Sequence, residues 1–503
     1  MLRDDDEPVT VAKVASPILR PKMRTSPWIW LAPALLATCS APPPPEPRLN
    51  VVVIVLDTAR PDYLSVYGHP RPTSPFLEEF ASAGTRFDRA YSVSGWTLPA
   101  HASLFSGLLP DVHGANQRSR KICEAVPLLA ERLVRAGYQT AGFSNNPWVS
   151  VKTGLARGFE RFRRVLPRDA IPGGKPAHAT VAAVQQWFEQ EREEGRPFFL
   201  FVNLIEPHLP YKPPLQAALP FFSSKEEFDA AVLRFFPTGA PSTLQNRHYA
   251  RQEPLDDTEW DLLRRLYEGE LRFTDEITRA LVSLVDQASA PAKTLVFLIS
   301  DHGENIGDHG HISHIFNLYE SNLAIVCLAR GPGFSAGAVR DDLVQIVDLY
   351  PTILRAAQLE PEPACAGVDL RGPPSGERTL RAMLDFPYVS LGMFSDDIVA
   401  SGVLDAYKHD LVSAVGARFK TIRASDGARE DFDLARDPDE RAPLAQNDAS
   451  QADRRAVADA LARPPGSPLC TGTGVGPEFD PETHQEMQAL GYVGDNEGDE
   501  GDE

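Results

Sequence analysis

Five apolar runs of strand length constrain this chain most: 50–56 (NVVVIVL), 139–143 (QTAGF), 198–204 (FFLFVNL), 294–300 (TLVFLIS) and 323–329 (LAIVCLA). They are continuous rather than alternating, the pattern of strands covered on both faces. Segments with helical apolar spacing separate them, at 127–137, 180–195 and 258–287, the first ending in Gly137. Strand alternating with helix predicts an α/β fold: a large, mostly parallel sheet flanked by helices. At 503 residues the chain exceeds a usual single domain, so one large domain with appendages is expected. Past residue 390 the alternation fades into ARFKTIRA and EDFDLARDPDERAPLA. The chain is therefore divided into a main α/β domain over 50–390 and a smaller C-terminal α+β subdomain over 391–495.

A net charge of −19 excludes a nucleic-acid binder, which needs a basic face. Part of that charge lies in the ending GDNEGDEGDE, where 496–503 reads as a disordered acidic tail. Near the other end, Met23 and Arg24 precede an apolar stretch from Trp28 to Ala37. That stretch is shorter than the roughly 20 apolar residues that span a bilayer, and it matches a signal-peptide core. Leu36-Ala37-Thr38-Cys39 resembles a bacterial lipoprotein box, in which the cysteine carries the lipid. Residues 1–40 thus read as a signal and lipobox region. The acidic first 22 residues are unlike a signal n-region, which makes Met23 a candidate start. The proline-rich 41–49 reads as a stiff spacer. The expectation is an exported, membrane-anchored lipoprotein of the cell envelope, with plain secretion or an uncleaved anchor as alternatives. Cys123, Cys327, Cys365 and Cys470 lack metal-ligand spacing. In an exported chain a Cys365–Cys470 bridge is open, while Cys327, inside an apolar run, reads as a buried thiol.

Sites in open α/β sheets form beyond the carboxyl ends of the strands. Asp57 ends the first run; Asn203 lies near the end of the third, which continues into IEPHLPY with His208; Ser300-Asp301-His302-Gly303-Glu304 ends the fourth. Alone, Asp-His-Gly is a polar turn capping the next helix. Together, these ends bring Asp57, Asp301 and His302 to one sheet edge, two carboxylates and an imidazole suited to a divalent cation. The stretch SVSGWTLPAHASLFSG (92–107) places Thr97 and Pro99 where a helix begins, which by itself is ordinary helix punctuation.

Taken in order, these motifs resemble the sulfatase family of the alkaline-phosphatase-like superfamily over roughly residues 50–495. VVVIVLDTARPDYLSVYG looks like its first strand and metal aspartate, and TLPAHASLFSGLLPDVHG like its nucleophile segment. EPHLPY and ISDHGENIGDHGHISHIFNLYESNLAIVCLARGPG resemble its later site segments. QIVDLYPTIL, FDLARDPDERAPLA and the ending MQALGYV resemble its late motifs. The resemblance makes 50–390 the catalytic domain. It implies one divalent metal ion on Asp57, Thr97, Asp301 and His302, with Thr97, His208 and His314 as catalytic residues. His101, Arg118 and Tyr211 are the substrate-binding candidates. His309 and His311 read more simply as a solvated turn, and Arg60, Asp62 and His113 as scaffold.

Two departures shape the expected chemistry. Where the family has Cys/Ser-x-Pro-x-Arg, this chain reads Thr97-Leu98-Pro99-Ala100-His101. Threonine cannot become formylglycine, because its Cβ carries a methyl group, and the arginine is missing. The segment instead resembles nucleotide pyrophosphatase/phosphodiesterase relatives, lipoteichoic acid synthases and phosphoethanolamine transferases, whose threonine binds metal and attacks phosphorus. Thr58 also stands where calcium-dependent sulfatases carry a second aspartate. The mixed N/O set favours zinc or manganese over calcium or magnesium. The resemblance implies a hydrolase or transferase of phosphate or sulfate esters working through a covalent Thr97 intermediate. Sulfate-ester hydrolysis without formylglycine and a non-catalytic surface binding protein are the alternatives. The substrate is expected to be a small-molecule, glycan or lipid ester, and no motif within 210–255 narrows it. The expected membrane contact is the lipid anchor.

Overall fold

In the computed structural model all five apolar runs contribute strands to one sheet of eight strands. The structure describes residues 48–492, apart from 167–168, 170–174, 238–242, 252–253, 446–451, 463–465, 467–468, 470–476 and positions 315, 375, 478 and 491. The proposed signal region, Cys39, most of the proline-rich spacer, Cys470 and the acidic tail lie outside the described residues. Across the sheet the order is Ala338–Arg340, Thr85–Phe87, Cys327–Arg330, Thr294–Ile299, Asn50–Leu56, Phe198–Leu204, Gln139–Ser144 and Arg161–Arg164. Only Cys327–Arg330 runs antiparallel to its neighbours; the other pairings are parallel.

The continuous apolar runs are explained by the two faces they cover. Val52, Ile54, Leu56, Leu200 and Val202 point into one apolar layer with the helices Pro75–Ser82, Pro176–Gln190 and Asp257–Ala288. Their neighbours Val51, Val53, Val55, Phe199 and Phe201 point into the other, with Thr97–Ser106, Leu129–Arg135 and Leu349–Ala356. A strand between two helical layers has no solvent face to give to polar residues. The long helix begins at a capping box, where Asp256 accepts from Glu259 N and Glu259 reaches back to Asp256 N.

Two details differ from the pattern in the sequence. The apolar run 323–329 becomes a strand only from Cys327, because Glu320–Leu323 closes a helical turn first. Thr85–Phe87, Arg161–Arg164 and Ala338–Arg340 are strands of three or four residues at or beside the sheet edges, too short and too charged to show a period.

The C-terminal part holds a four-stranded antiparallel meander, Leu380–Leu384, Leu411–Val415, Phe419–Ala424 and Arg429–Asp433, whose first strand precedes residue 391. Lys420 pins it to the larger sheet's surroundings. Its buried ammonium lies 2.8 Å from Glu320 and 2.9 Å from Glu440, and Glu320 also accepts from Tyr91 at 3.0 Å. Cys327 and Cys365 are free thiols, so the Cys365–Cys470 bridge considered from sequence does not form. The Cys365 thiol packs instead against Gly107 and lies 4.0 Å from Gly367 O. Cys123 is disulfide-bonded.

Phe199 is fully buried near the start of its strand and stacks on Phe159 with ring centroids 5.6 Å apart. Phe199→Ala is expected to lower unfolding stability by about 3–5 kcal/mol, read from denaturant midpoints. A loss below about 1 kcal/mol would mean that this layer is not the packed core described.

Candidate active site

Strand register builds the site. Val55 lies opposite Ile299 on one side and Asn203 on the other. Two residues further on, Asp57 and Asp301 leave adjacent parallel strands side by side. Asp57 Oδ2 accepts from Asn146 Nδ2 at 2.7 Å and from Asn203 Nδ2 at 3.3 Å. Asp301 Oδ1 accepts from Thr58 N at 3.2 Å and from His302 N at 3.0 Å. The remaining oxygens, Asp57 Oδ1 and Asp301 Oδ2, are buried with no hydrogen-bond partner among the described residues. His302 Nδ1 donates to Gly303 O at 3.0 Å, which leaves Nε2 as an acceptor facing the Thr97 hydroxyl. One ligand atom each from Asp57, Asp301 and His302 lies within 4.8 Å of the others.

The backbone is bent to make this arrangement. Thr58 sits at φ 59°, a left-handed conformation costly for a β-branched residue. Its N–H is held by Asp301, and its carbonyl accepts from Tyr267 OH at 2.8 Å. Gly303 turns the chain where a Cβ would lie 2.0 Å from Ser321 O, so no other residue fits there.

Electrostatically the pocket is short of positive charge. Burial first, and then the like charge of Asp301, push the Asp57 carboxyl well above the usual range. Burial also raises Asp301, against the opposing influence of His101. Burial holds His302, His208 and His314 down to about 3, so the imidazoles are neutral and supply no compensating cation. Two buried carboxylates with bare oxygens beside a neutral imidazole acceptor fit a divalent cation.

Thr97 is the first residue of the helix Thr97–Ser106; Trp96 is its N-cap, and no side chain makes the capping bond. The threonine hydroxyl is therefore not used as a cap. Its Oγ1 lies 3.3 Å from His302 Nε2 and 3.4 Å from Asn146 Nδ2. One turn on, His101 Nδ1 donates to Thr97 O at 2.9 Å and lies 3.6 Å from Asp301 Oδ2, its ring wedged edge-on against Phe105 and Phe201. His101 thus braces the helix start from beneath.

His208 and His314 lie on the opposite flank, ring centroids 5.0 Å apart, with His314 4.4 Å from the His302 ring. His314 Nδ1 pairs with Glu304 Oε1 at 3.2 Å, and its Nε2 is buried with no partner among the described residues. His208 Nδ1 donates to Leu209 O, and its Nε2 accepts from Tyr492 OH at 2.9 Å.

Tyr211 and Arg118, the other substrate-binding candidates, differ in exposure. Tyr211 is fully buried, packed edge-on against Tyr267 and Phe236, because its strand-end loop folds into the core under the long helix. Arg118 is exposed, its N–H donates to Asn116 Oδ1, and its charge bears on Asp385. His309 is exposed and stacks on Tyr319 at 3.7 Å, and His311 Nδ1 meets Tyr249 OH at 3.1 Å, so both belong to a partly solvated turn. Arg60 binds Asp62, Asp308 and Glu304 O, and His113 meets Ser103 Oγ. The sequence reading missed Asn146, Glu304 and Tyr492 as site residues, and Asn203 as a partner of Asp57. Asn146 was accessible by the strand-end rule already applied to its neighbours, since it follows Gln139–Ser144 by two residues.

Comparison with known proteins agrees with this geometry. The chain is 24% identical to Arylsulfatase K of Homo sapiens over 465 residues, covering 82% of this chain and 83% of that protein. It is 24% identical to the multifunctional alkaline phosphatase superfamily protein PehA of Trinickia caryophylli over 478 residues, covering 78% and 92%. Its fold resembles the phosphonate monoester hydrolase of Agrobacterium radiobacter, with a TM-score of 0.63 and 20% identity over 82% of this chain and 95% of that one. The Sulfatase family model matches residues 49–359. This chain is an ester hydrolase belonging to the sulfatase family.

Proposed function

We propose that the chain hydrolyses phosphate or phosphonate esters in preference to sulfate esters, by a metal-dependent route with Thr97 as nucleophile. One observation carries this reading: the Thr97 hydroxyl is free of any capping role and faces His302 and Asn146 beside the bare oxygens of Asp57 and Asp301. Asp57, Asp301, His302 and Thr97 would hold the ion, and their mixed N/O character suits zinc or manganese better than calcium or magnesium. When bound, the cation supplies Lewis acidity that activates a hydroxyl and offsets charge on the transferring group. The relatives named above support both sulfate and phosphonate esters, and the threonine favours phosphorus because it cannot give formylglycine.

The chain's own groups divide the remaining work. Asn146 holds the Thr97 oxygen and Asp57 together, fixing the line of attack. The helix start behind Thr97 directs its positive dipole end toward an anionic ester. Attack forms the bond from Thr97 Oγ1 to phosphorus, releases the hydroxyl proton to water and breaks the bond to the leaving oxygen. Burial holds the Glu304 carboxyl up, so it can pass a proton to His314 Nδ1 while His314 Nε2 gives one to the leaving oxygen. His208 packs its ring against His314 on that flank, its own nitrogens engaged by Leu209 O and Tyr492 OH. Water then releases the Thr97 ester; an acceptor alcohol in its place would make the enzyme a transferase. The substrate is a small-molecule, glycan or lipid ester. Export with lipid attachment at Cys39 completes the proposal, and the disulfide at Cys123 supports an oxidising compartment.

Thr97→Ala is expected to lower kcat by about three orders of magnitude or more while stability changes by less than about 1 kcal/mol. Thr97→Ser should keep partial activity, since the hydroxyl survives. A panel of aryl phosphate, phosphodiester, phosphonate and sulfate esters checks the preference; cleavage of sulfate esters alone overturns it. Asp301→Ala or His302→Ala should lose bound metal, measured by elemental analysis, while retaining the fold. Chelation should lower the Tm of the wild type, because it leaves the Asp57–Asp301 repulsion uncompensated, and added zinc or manganese should restore it. Mass spectrometry of the membrane fraction should find an acylated N-terminus at Cys39; an intact, unmodified N-terminus in the cytosol rules the anchor out.

A further inference from the structure

The C-terminal segment reaches the reaction centre. Helix Pro481–Ala489 is capped by Asp480, and Met487 is fully buried in the layer that also holds Trp148. The helix is tied down at a distance from the site: Arg164, on the edge strand, donates to Thr483 Oγ1 at 3.0 Å and to Glu486 Oε2 at 2.5 Å. After it the chain turns, Tyr492 N donating to Met487 O at 2.7 Å, and delivers one side chain inward.

Tyr492 is buried, its ring edge-on to Trp148 and tilted against His208 at 5.2 Å. Its phenol donates to His208 Nε2 at 2.9 Å, which is free to accept because His208 Nδ1 donates to Leu209 O. The same oxygen accepts from Asn146 Nδ2 at 3.4 Å. Asn146 holds Asp57 and Thr97, so one phenol links both flanks of the site. Phe would fill the same space among Trp148, His208 and His314, so packing alone does not account for the hydroxyl.

We infer that Tyr492 is a positioning residue for the reaction, fixing His208 and Asn146 around the Thr97 hydroxyl, with the terminal helix as the arm that holds it and Arg164 as the arm's anchor. The inference rests on the ester-hydrolase reading above for its kinetic consequences, but not for the contact itself. Tyr492 acts through Asn146 and His208 rather than on the substrate. Its loss should therefore affect kcat far more than KM.

The experiment compares the wild type with Tyr492→Phe, which keeps the ring and removes only the hydroxyl. The expected result is a fall in kcat of about 10- to 100-fold, the range for removing a hydrogen-bond partner one layer behind the reacting groups. KM, metal content and Tm should stay close to wild type. Arg164→Ala, remote from Thr97, should also lower kcat, and the double variant should be no worse than the poorer single one, because both act by displacing one phenol. An independent readout uses protein labelled with 15N at its 12 histidines, with His208 assigned by His208→Gln. The His208 Nε2 resonance should shift in Tyr492→Phe. A shift without turnover of any ester by the wild type would uphold the contact and sink the function proposed above. An unchanged His208 resonance, or a Tyr492→Phe kcat equal to or above that of the wild type, overturns the positioning role.

Discussion

Two carboxylates forced together out of water govern this structure. Asp57 and Asp301 leave neighbouring parallel strands in register, and each has one oxygen satisfied by fixed donors and one left bare. Leaving such groups buried and unpaired costs several kcal/mol, and the surrounding structure is arranged to sustain that cost. Thr58 is held in a left-handed conformation by Tyr267 and Asp301, Gly303 admits no side chain, and His101 wedges the helix start against Phe201. The large double-faced core holds these strained positions because the strands that carry them are buried along their whole length.

The same constraint gives Thr97 its orientation. A threonine at a helix start ordinarily turns its hydroxyl back onto the backbone. Here Trp96 takes the cap position without a side-chain bond, and the Thr97 hydroxyl turns toward His302 and Asn146. Helix, carboxylates and imidazoles come from segments far apart in the chain, and strand register brings them within hydrogen-bonding reach of one another. The fold itself is shared with relatives of several ester specificities, so the site's own atoms carry the chemical argument.

The smaller C-terminal elements contribute differently. The antiparallel meander is joined to the larger sheet's surroundings through the buried Lys420 and its two glutamates. The terminal helix instead docks beside the edge strand through Arg164 and places Tyr492 against His208. One element adds bulk beside the catalytic part, and the other adds a functional group to it.

Local pattern along the chain carried the fold class and the grouping of Asp57, Asp301 and His302. Continuous apolar runs identify buried parallel strands, and polar residues at the ends of those runs must fall at one sheet edge, so Asp57, Asp301 and His302 were legible before any coordinates. Short charged edge strands such as Arg161–Arg164 were not, because three or four residues show no period. Only the folded chain shows that Tyr211 packs against Tyr267 and Phe236, that Cys365 stays a free thiol, and that Thr97 is not a cap. It alone placed Tyr492 beside His208, 284 residues away in the chain. A repeating pattern records which face of an element is buried. Which side chains then meet across the interior depends on register and packing between distant segments, and no local pattern in the chain encodes that.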